Sequence, residues 1–313
     1  MNKFVIFTDA GGDFLEEQRV KYNLERQPKS TIVWPDKSER EADIDWKEIA
    51  PNDFYALLDN KKNNFSSSVP APGVVKERLT EYAKKGLDVL CITISSTMSG
   101  GYSLYCTVAK EVMEENPGST IIVIDSLRYG PAISLLAIEA SLYRGQGHNL
   151  QQTADYINEM KLHVHQCGVL DDLFFLARKG RISSGKAFMG NLIGVKPMAD
   201  LCNETGLSQV IGKARGYQKF YKVFPNYIRN TIGTVTGKVF VVSYSLREPQ
   251  AKQLVDIIKS EFAPEHLILL PLGQTSGVNV GPGLAAAFYI GDERVSPNCQ
   301  KEQAILEELL LKK

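Results

Sequence analysis

Apolar residues follow two rhythms along the chain, and the switch between them predicts the order of its elements. Residues 4–8, 89–94 and 120–124 are short, unbroken apolar runs rich in β-branched side chains, the mark of buried strands. Residues 74–85, 102–115, 131–144 and 150–160 instead carry apolar side chains at helical spacing. Gly86, Asn116-Pro117-Gly118 and Gly145 supply the stops. Pro35 to Asp53 reads as an irregular acidic excursion, followed by a short helix around 51–58 and a polar loop at 60–64. Asp13 is placed to cap a helix that begins at Phe14. Strand and helix alternate to about residue 160, which argues a parallel α/β sheet.

From about residue 161 the texture changes. A strand is expected over 163–170, a short helix over 171–177, and then a Gly/Ser/Lys-rich stretch to 192. Residues 195–201 and 207–211 form a hairpin around 203–206. A helix spans 217–232 despite Pro225. Strand 238–244, helix 249–262, strand 266–272, an apolar segment at 282–290 and a helix at 301–312 complete the chain. Strands stand beside helices without strict alternation, so this half is α+β. The fold class is α/β with two domains: residues 1–160, a parallel α/β sheet, and residues 161–313, an α+β domain.

Two hydroxyl-rich turns carry the candidate chemistry. Ser95-Ser96-Thr97-Met98-Ser99-Gly100-Gly101 closes the strand at 89–94 and opens a helix. Phe65-Ser66-Ser67-Ser68-Val69-Pro70 precedes another. Ligands of open α/β sheets sit at the carboxyl ends of strands, and hydroxyls with free N–H groups at a helix start favour an anion. If both strands share one sheet, the two turns face each other across its edge. A carboxylate there would gain charge-assisted bonds of about 1.5–3 kcal/mol each at best. The alternative is that these serines only cap helices.

Composition narrows the setting. The 313 residues balance 36 Lys and Arg against 36 Asp and Glu, so no global field draws nucleic acid or an anionic membrane. The N-terminal apolar run is too short for a signal peptide, and nothing approaches the roughly 18 apolar residues of a membrane span. Cys91, Cys106, Cys167, Cys202 and Cys299 are scattered, which argues against a disulfide framework and for a cytoplasmic protein.

Taken in order, the motifs resemble those of the DegV family, which includes the fatty-acid-binding subunits of bacterial fatty acid kinases. Thr8-Asp9-Ala10 is similar to the family's Thr-Asp-Ser, and Ser67-Ser68-Val69-Pro70 to its Thr-Ser-Gln-Pro. Ile94-Ser95-Ser96-Thr97-Met98-Ser99-Gly100-Gly101-Tyr102 resembles its Ile-Ser-Ser-x-Leu-Ser-Gly-Thr-Tyr. Gly180-Arg181-Ile182, Lys196-Pro197 and Asn279-Val280-Gly281-Pro282-Gly283 are similar to its Gly-Arg-Ile, Lys-Pro and His-x-Gly-Pro-Gly.

The resemblance implies a lipid-binding protein that holds one long-chain fatty acid. The carboxylate would sit on Ser67, Ser99, the Gly100 backbone and Asn279, with Asp9, Ser68, Ser96 and Arg181 as secondary candidates. The acyl chain would run in an apolar tunnel, where burial is worth roughly 0.8 kcal/mol per methylene. Phe174, Phe175, Leu176, Phe188, Met189, Leu192, Ile193, Leu284 and Phe288 are candidate walls, each equally readable as ordinary core. The resemblance further implies a separate ATP-binding kinase subunit as partner; the binding subunit itself is no enzyme and needs no cofactor. Ala10, Ser67, Gly101 and Asn279 depart from the family pattern. Ser67 keeps the hydroxyl, whereas Asn279 loses a titratable ring.

Other constellations are weaker. Gly180 to Lys186 nearly matches a P-loop, but Ala187 stands where a hydroxyl must bind magnesium. The local excess of basic residues from Arg178 to Lys222, with Lys213 and Arg215 among them, reads as a solvated face or a docking surface; no nucleic-acid motif accompanies it. His163, His165 and Cys167 would share one face of a strand, without an acidic partner to complete a metal site. A serine-dependent esterase using Ser99 is the enzyme alternative. Its context lacks the first Gly of G-x-S-x-G, and the sequence places no His to serve it.

Overall fold

A computed structural model describes residues 3–182, 194–233, 238–294 and 299–312. The chain divides into two compact units. The first holds Met1–Glu48, Asn64–Lys161 and Gly273–Ser276; the second holds Ile49–Asn63, Leu162–Leu272 and Gly277–Lys313.

The first unit is built on three parallel strands, β1 (Phe4–Thr8), β5 (Asp88–Thr93) and β6 (Ile121–Asp125), in the order β1-β5-β6. Every residue of β1 and β5 is buried, which is why these strands read as unbroken apolar runs. Helices α3 (Pro72–Lys84) and α4 (Gly101–Glu115) close one core with the sheet, through Val75, Leu79, Tyr105 and Val112 against Phe7, Val89 and Cys91. Helix α5 (Gly130–Gly145) is buried almost throughout. Helix α6 (Leu150–Met160) starts at a reciprocal cap: Gln152 N donates to Asn149 Oδ1 at 2.9 Å, and Asn149 N to Gln152 Oε1 at 3.0 Å.

The excursion after β1 holds elements the sequence pattern does not reveal. Strands β2 (Thr31–Val33), β3 (Glu39–Glu41) and β4 (Ser66–Ser68) form a separate antiparallel sheet, ordered β3-β2-β4. The second hydroxyl cluster is therefore an edge strand rather than a loop, and it does not share a sheet with the strand before Ser95. Three-residue strands of Ser or Glu offer no apolar periodicity, so only their pairing defines them. A further difference concerns helix α1 (Glu16–Lys21), which begins after Leu15, so Asp13 does not cap it.

The second unit carries a six-stranded mixed sheet, β11-β10-β12-β7-β8-β9. Its strands are β7 (Val164–Leu170), β8 (Val195–Leu201), β9 (Ser208–Arg215), β10 (Val239–Tyr244), β11 (His266–Pro271) and β12 (Leu284–Ile290). Among the described residues, only β10 and β11 of this sheet's named strands pair parallel, joined by helix α9 (Glu248–Phe262). Together the two sheets bear out the α/β class, parallel in the first half and mixed in the second. Helices α8 (Gly216–Thr231), α9 and α11 (Gln300–Leu311) pack over one face. Ala285, Ala287 and Tyr289 of β12 enter that core, while Leu284, Ala286 and Phe288 point to the opposite face, where they are buried as well. His163 lies in the 3-10 turn Lys161–His163 that precedes β7, so it does not share a strand face with His165.

Candidate functional site

The carboxyl ends of β1 and β5 are tied together by one side chain. The Asp9 N–H donates to Ile92 O at 3.1 Å, and the buried Asp9 carboxylate then accepts from Gly11 N at 2.9 Å and from Ile94 N at 3.0 Å. Both chain segments leaving the sheet are thus held by the same group. Burial raises the Asp9 carboxyl to about 6, the two backbone N–H bonds pull it back, and Asp125 pushes it up further.

The turn after β5 is fixed by its own backbone. Ser95 N donates to Arg128 O at 2.8 Å, while Met98 N and Ser99 N both donate to Ser95 O, at 2.9 and 3.1 Å. The Ser95 and Thr97 hydroxyls share a 2.9 Å bond. Ser99 is half-buried, and its Oγ accepts from Gly101 N at 3.3 Å. The N-cap of α4 is Gly100, with no side-chain cap, and α3 likewise starts from Ala71 without one. The serines therefore do not serve as N-caps of these helices. A Cβ added at Gly101 would lie 2.7 Å from Asp9 Oδ2 and 3.7 Å from Ser99 Oγ, so both atoms stand within 4 Å of that point. Asp9, Ser99, Gly100 and Gly101 form one cluster, in which the first N–H of α4, that of Gly101, meets the Ser99 hydroxyl.

The other candidates fall as follows. Ser67 is half-buried in β4 opposite Ile32, and Ser68 is exposed opposite Thr31. Ser96 is exposed, its N–H on Asp125 Oδ1 at 3.2 Å. Arg181 is half-buried, and its carbonyl takes Ser208 N at 3.2 Å. Asn279 is half-buried in helix α10 (Gln274–Val280). The Gly281 and Gly283 that follow have φ of +88° and +99°, and a Cβ there would strike the Phe175 ring at 2.5 Å and Asp171 Cβ at 2.7 Å. Asp171 accepts from Lys196 Nζ and Arg247 Nε, both at 2.7 Å. Lys196 thus serves a local ion-pair network. Asp171 and Arg247 carried no sequence signal of their own.

Among the proposed wall residues, Leu176, Leu284 and Phe288 are buried and Phe174 is exposed. Phe188, Met189, Leu192 and Ile193 lie outside the described residues, as do positions 183–187 of the P-loop-like stretch. His163 Nδ1 and His165 Nε2 stand 2.9 and 2.8 Å from the carbonyls of Gly291 and Asp292. A surface groove of about 350 Å³ lies between α3 and α4, but Lys76 and Glu111 pair in its lining, which makes it mixed rather than apolar.

Asp13 occupies a role the sequence did not suggest. It is buried in the first unit, its N–H on Ser134 Oγ at 3.0 Å and its Oδ1 taking Ser276 Oγ at 3.3 Å. Burial raises its carboxyl to about 7, against bonds from Gly273 and Ser276 that lower it. An acid whose folded pKa is raised stabilises fully below its unfolded value and loses that contribution as pH climbs through the folded one. Asp13→Asn is therefore expected to flatten the decline in stability between about pH 4 and pH 7. Urea titrations across that range check it; parallel curves for both proteins would contradict it.

The comparisons with known proteins bear on this arrangement. A family model described as "Uncharacterised protein, DegV family" matches residues 3–292. A DegV domain-containing protein of Clostridium perfringens is 28% identical over 294 residues, covering 94% of this chain and 99% of that protein. Among solved structures, a DegV lipid binding protein from Thermotoga maritima superposes with a TM-score of 0.77 at 21% identity, covering 93% of this chain and all 100% of its own. A Thermus thermophilus DegV family protein, described by its fatty acid binding, gives 0.79 at 20% identity, with 93% and 100% covered. At such identities the two structures establish the shared fold.

Proposed function

The chain belongs to the DegV family, and on that premise we propose that it binds a single long-chain fatty acid and is not itself an enzyme. The observation that carries this reading is the Ser99–Gly100–Gly101 turn: a half-buried hydroxyl and the open start of a helix, set at a sheet edge by Asp9. That is chemistry for an anionic oxygen pair. The Thermotoga and Thermus relatives, named for lipid and fatty acid binding, support assigning the anion to a fatty-acid carboxylate. In the proposed complex Ser67, Ser99 and the Gly100 N–H of the first unit hold the carboxylate, with Asp9, Ser68 and Ser96 as secondary contacts. The acyl chain lies in an apolar tunnel, where burial of its methylenes supplies most of the affinity.

The same reading extends to a separate kinase subunit that would phosphorylate the bound carboxylate, and to a cytoplasmic protein needing no cofactor. Among the described residues no helix is long and apolar enough to cross a membrane.

Ser99→Ala is expected to weaken binding of a fluorescent fatty acid by about 1–3 kcal/mol, the worth of a hydrogen bond to a charged group. An unchanged affinity would remove Ser99 from the site. Hydrolysis of p-nitrophenyl esters that vanishes in Ser99→Ala would favour an esterase instead.

A further inference from the structure

We propose that Asp9 couples ligand binding to proton uptake: when a fatty-acid carboxylate occupies the Ser99–Gly101 turn, Asp9 takes one proton from solvent and stands neutral behind it. This rests on the reading of that turn as the carboxylate site.

Geometry supplies the first argument. Asp9 Oδ2 and Ser99 Oγ lie within 4 Å of one point beside Gly101. The two atoms are therefore no more than about 6.4 Å apart, and a ligand carboxylate bonded to Ser99 Oγ has a second, buried carboxylate as a near neighbour. Two such groups in a low-dielectric site do not both stay ionised.

The surroundings supply the second. Among the described residues, the charged group that acts on Asp9 is Asp125 at the end of β6, another acid. The other titratable neighbours are the Cys91 thiol on β5 and the Tyr105 phenol on α4, both buried and held protonated by burial. None of these offsets an incoming negative charge. Asp9 already sits at about 6 in the free protein, so one further anion carries it through neutrality near physiological pH.

The balance is simple. Asp9–COO⁻, one H⁺ and R–COO⁻ give Asp9–COOH beside bound R–COO⁻, and the complex keeps the net charge of the free protein. Each Asp9 oxygen accepts one backbone N–H and retains a lone pair for the proton.

Two measurements test this. Affinity for a fluorescent fatty-acid probe, kept dilute enough to stay an ionised monomer, is read from pH 5.5 to 8.5. In the wild-type protein it should fall about tenfold per pH unit above pH 6, whereas Asp9→Asn should be flat and as tight as the wild type at its acid limit. Calorimetry of wild-type protein with myristate, in two buffers of different ionisation enthalpy at neutral pH, should show about one proton taken up per ligand. The second measurement stands even if Asp9→Asn does not fold. Parallel pH profiles, or no proton uptake, would overturn the coupling while leaving fatty-acid binding intact. No binding by the wild-type protein at any pH would overturn the fatty-acid reading, and the coupling with it.

Discussion

Arg294→Met should destabilise the second unit by about 3–5 kcal/mol, the cost of breaking a buried ion pair from one side. Arg294 is 3% exposed in its side chain, and it faces Asp200 and Glu302, each 2% exposed, at 3.3 Å. Its guanidinium also donates to the carbonyls of Val164, at 3.3 Å, and Leu201, and reaches Cys299 Sγ at 2.9 Å. One cation therefore ties β7, the end of β8 and the start of α11. Methionine fills similar volume but removes the guanidinium charge that faces Asp200 and Glu302 and its donors to the Val164 and Leu201 carbonyls. Burial makes this pair matter, because an exposed pair would be worth about 0–1 kcal/mol. A guanidinium chloride titration reads the loss directly. Adding Asp200→Asn and Glu302→Gln to Arg294→Met should restore much of it, since apolar or neutral groups replace a buried ion network at little net cost. A loss under about 1 kcal/mol for Arg294→Met alone would mean water reaches the cluster.

How far the sequence reveals the molecule depends on which force shapes each part. The parallel strands and their helices were legible because burial on both faces writes itself as apolar runs and helical spacing. The helix over 150–160 was legible from that spacing alone, and the structure adds a reciprocal cap of Asn149 and Gln152 that the reading had not used. The strands Thr31–Val33, Glu39–Glu41 and Ser66–Ser68 were not, since backbone pairing alone defines them. That mattered: Ser66–Ser68 was read as a loop that would face Ser95–Ser99 if both belonged to one sheet, and the two lie on different sheets.

The site divides the same way. The motif order placed Asp9, Ser99 and Gly100 in one region, and the structure brings Asp9 against the Ser99–Gly101 turn through backbone N–H bonds that no spacing rule encodes. Asp13 was invisible for a related reason. Its neighbours Gly273 and Ser276 lie far along the chain, and only folding brings them to it. The convergence of Lys196 and Arg247 on Asp171 is equally non-local.

Gly101→Thr should be the most damaging single change in the candidate site, although it restores the residue that the DegV motif carries at this position. Any Cβ there would sit 2.7 Å from Asp9 Oδ2, inside contact distance. The aspartate cannot simply turn away, because Oδ2 takes Ile94 N and Oδ1 takes Gly11 N, and both bonds hold the ends of strands β5 and β1. Moving it leaves a buried N–H unmet and a buried carboxylate less well held. Together with the overpacking, that should cost about 3 kcal/mol or more in stability. Fatty-acid affinity should fall as well, because the Ser99 hydroxyl and the start of α4 share the displaced turn. The paired substitution Asp9→Ala with Gly101→Thr separates the causes. Removing the carboxylate relieves the clash, so the double variant should be more stable than the sum of the two single losses predicts. Strict additivity in a double-mutant cycle would mean that the two positions do not touch. The family pattern carries an aspartate and a threonine at these two positions together, so the clash predicted here comes from how closely this chain seats Asp9 against Gly101.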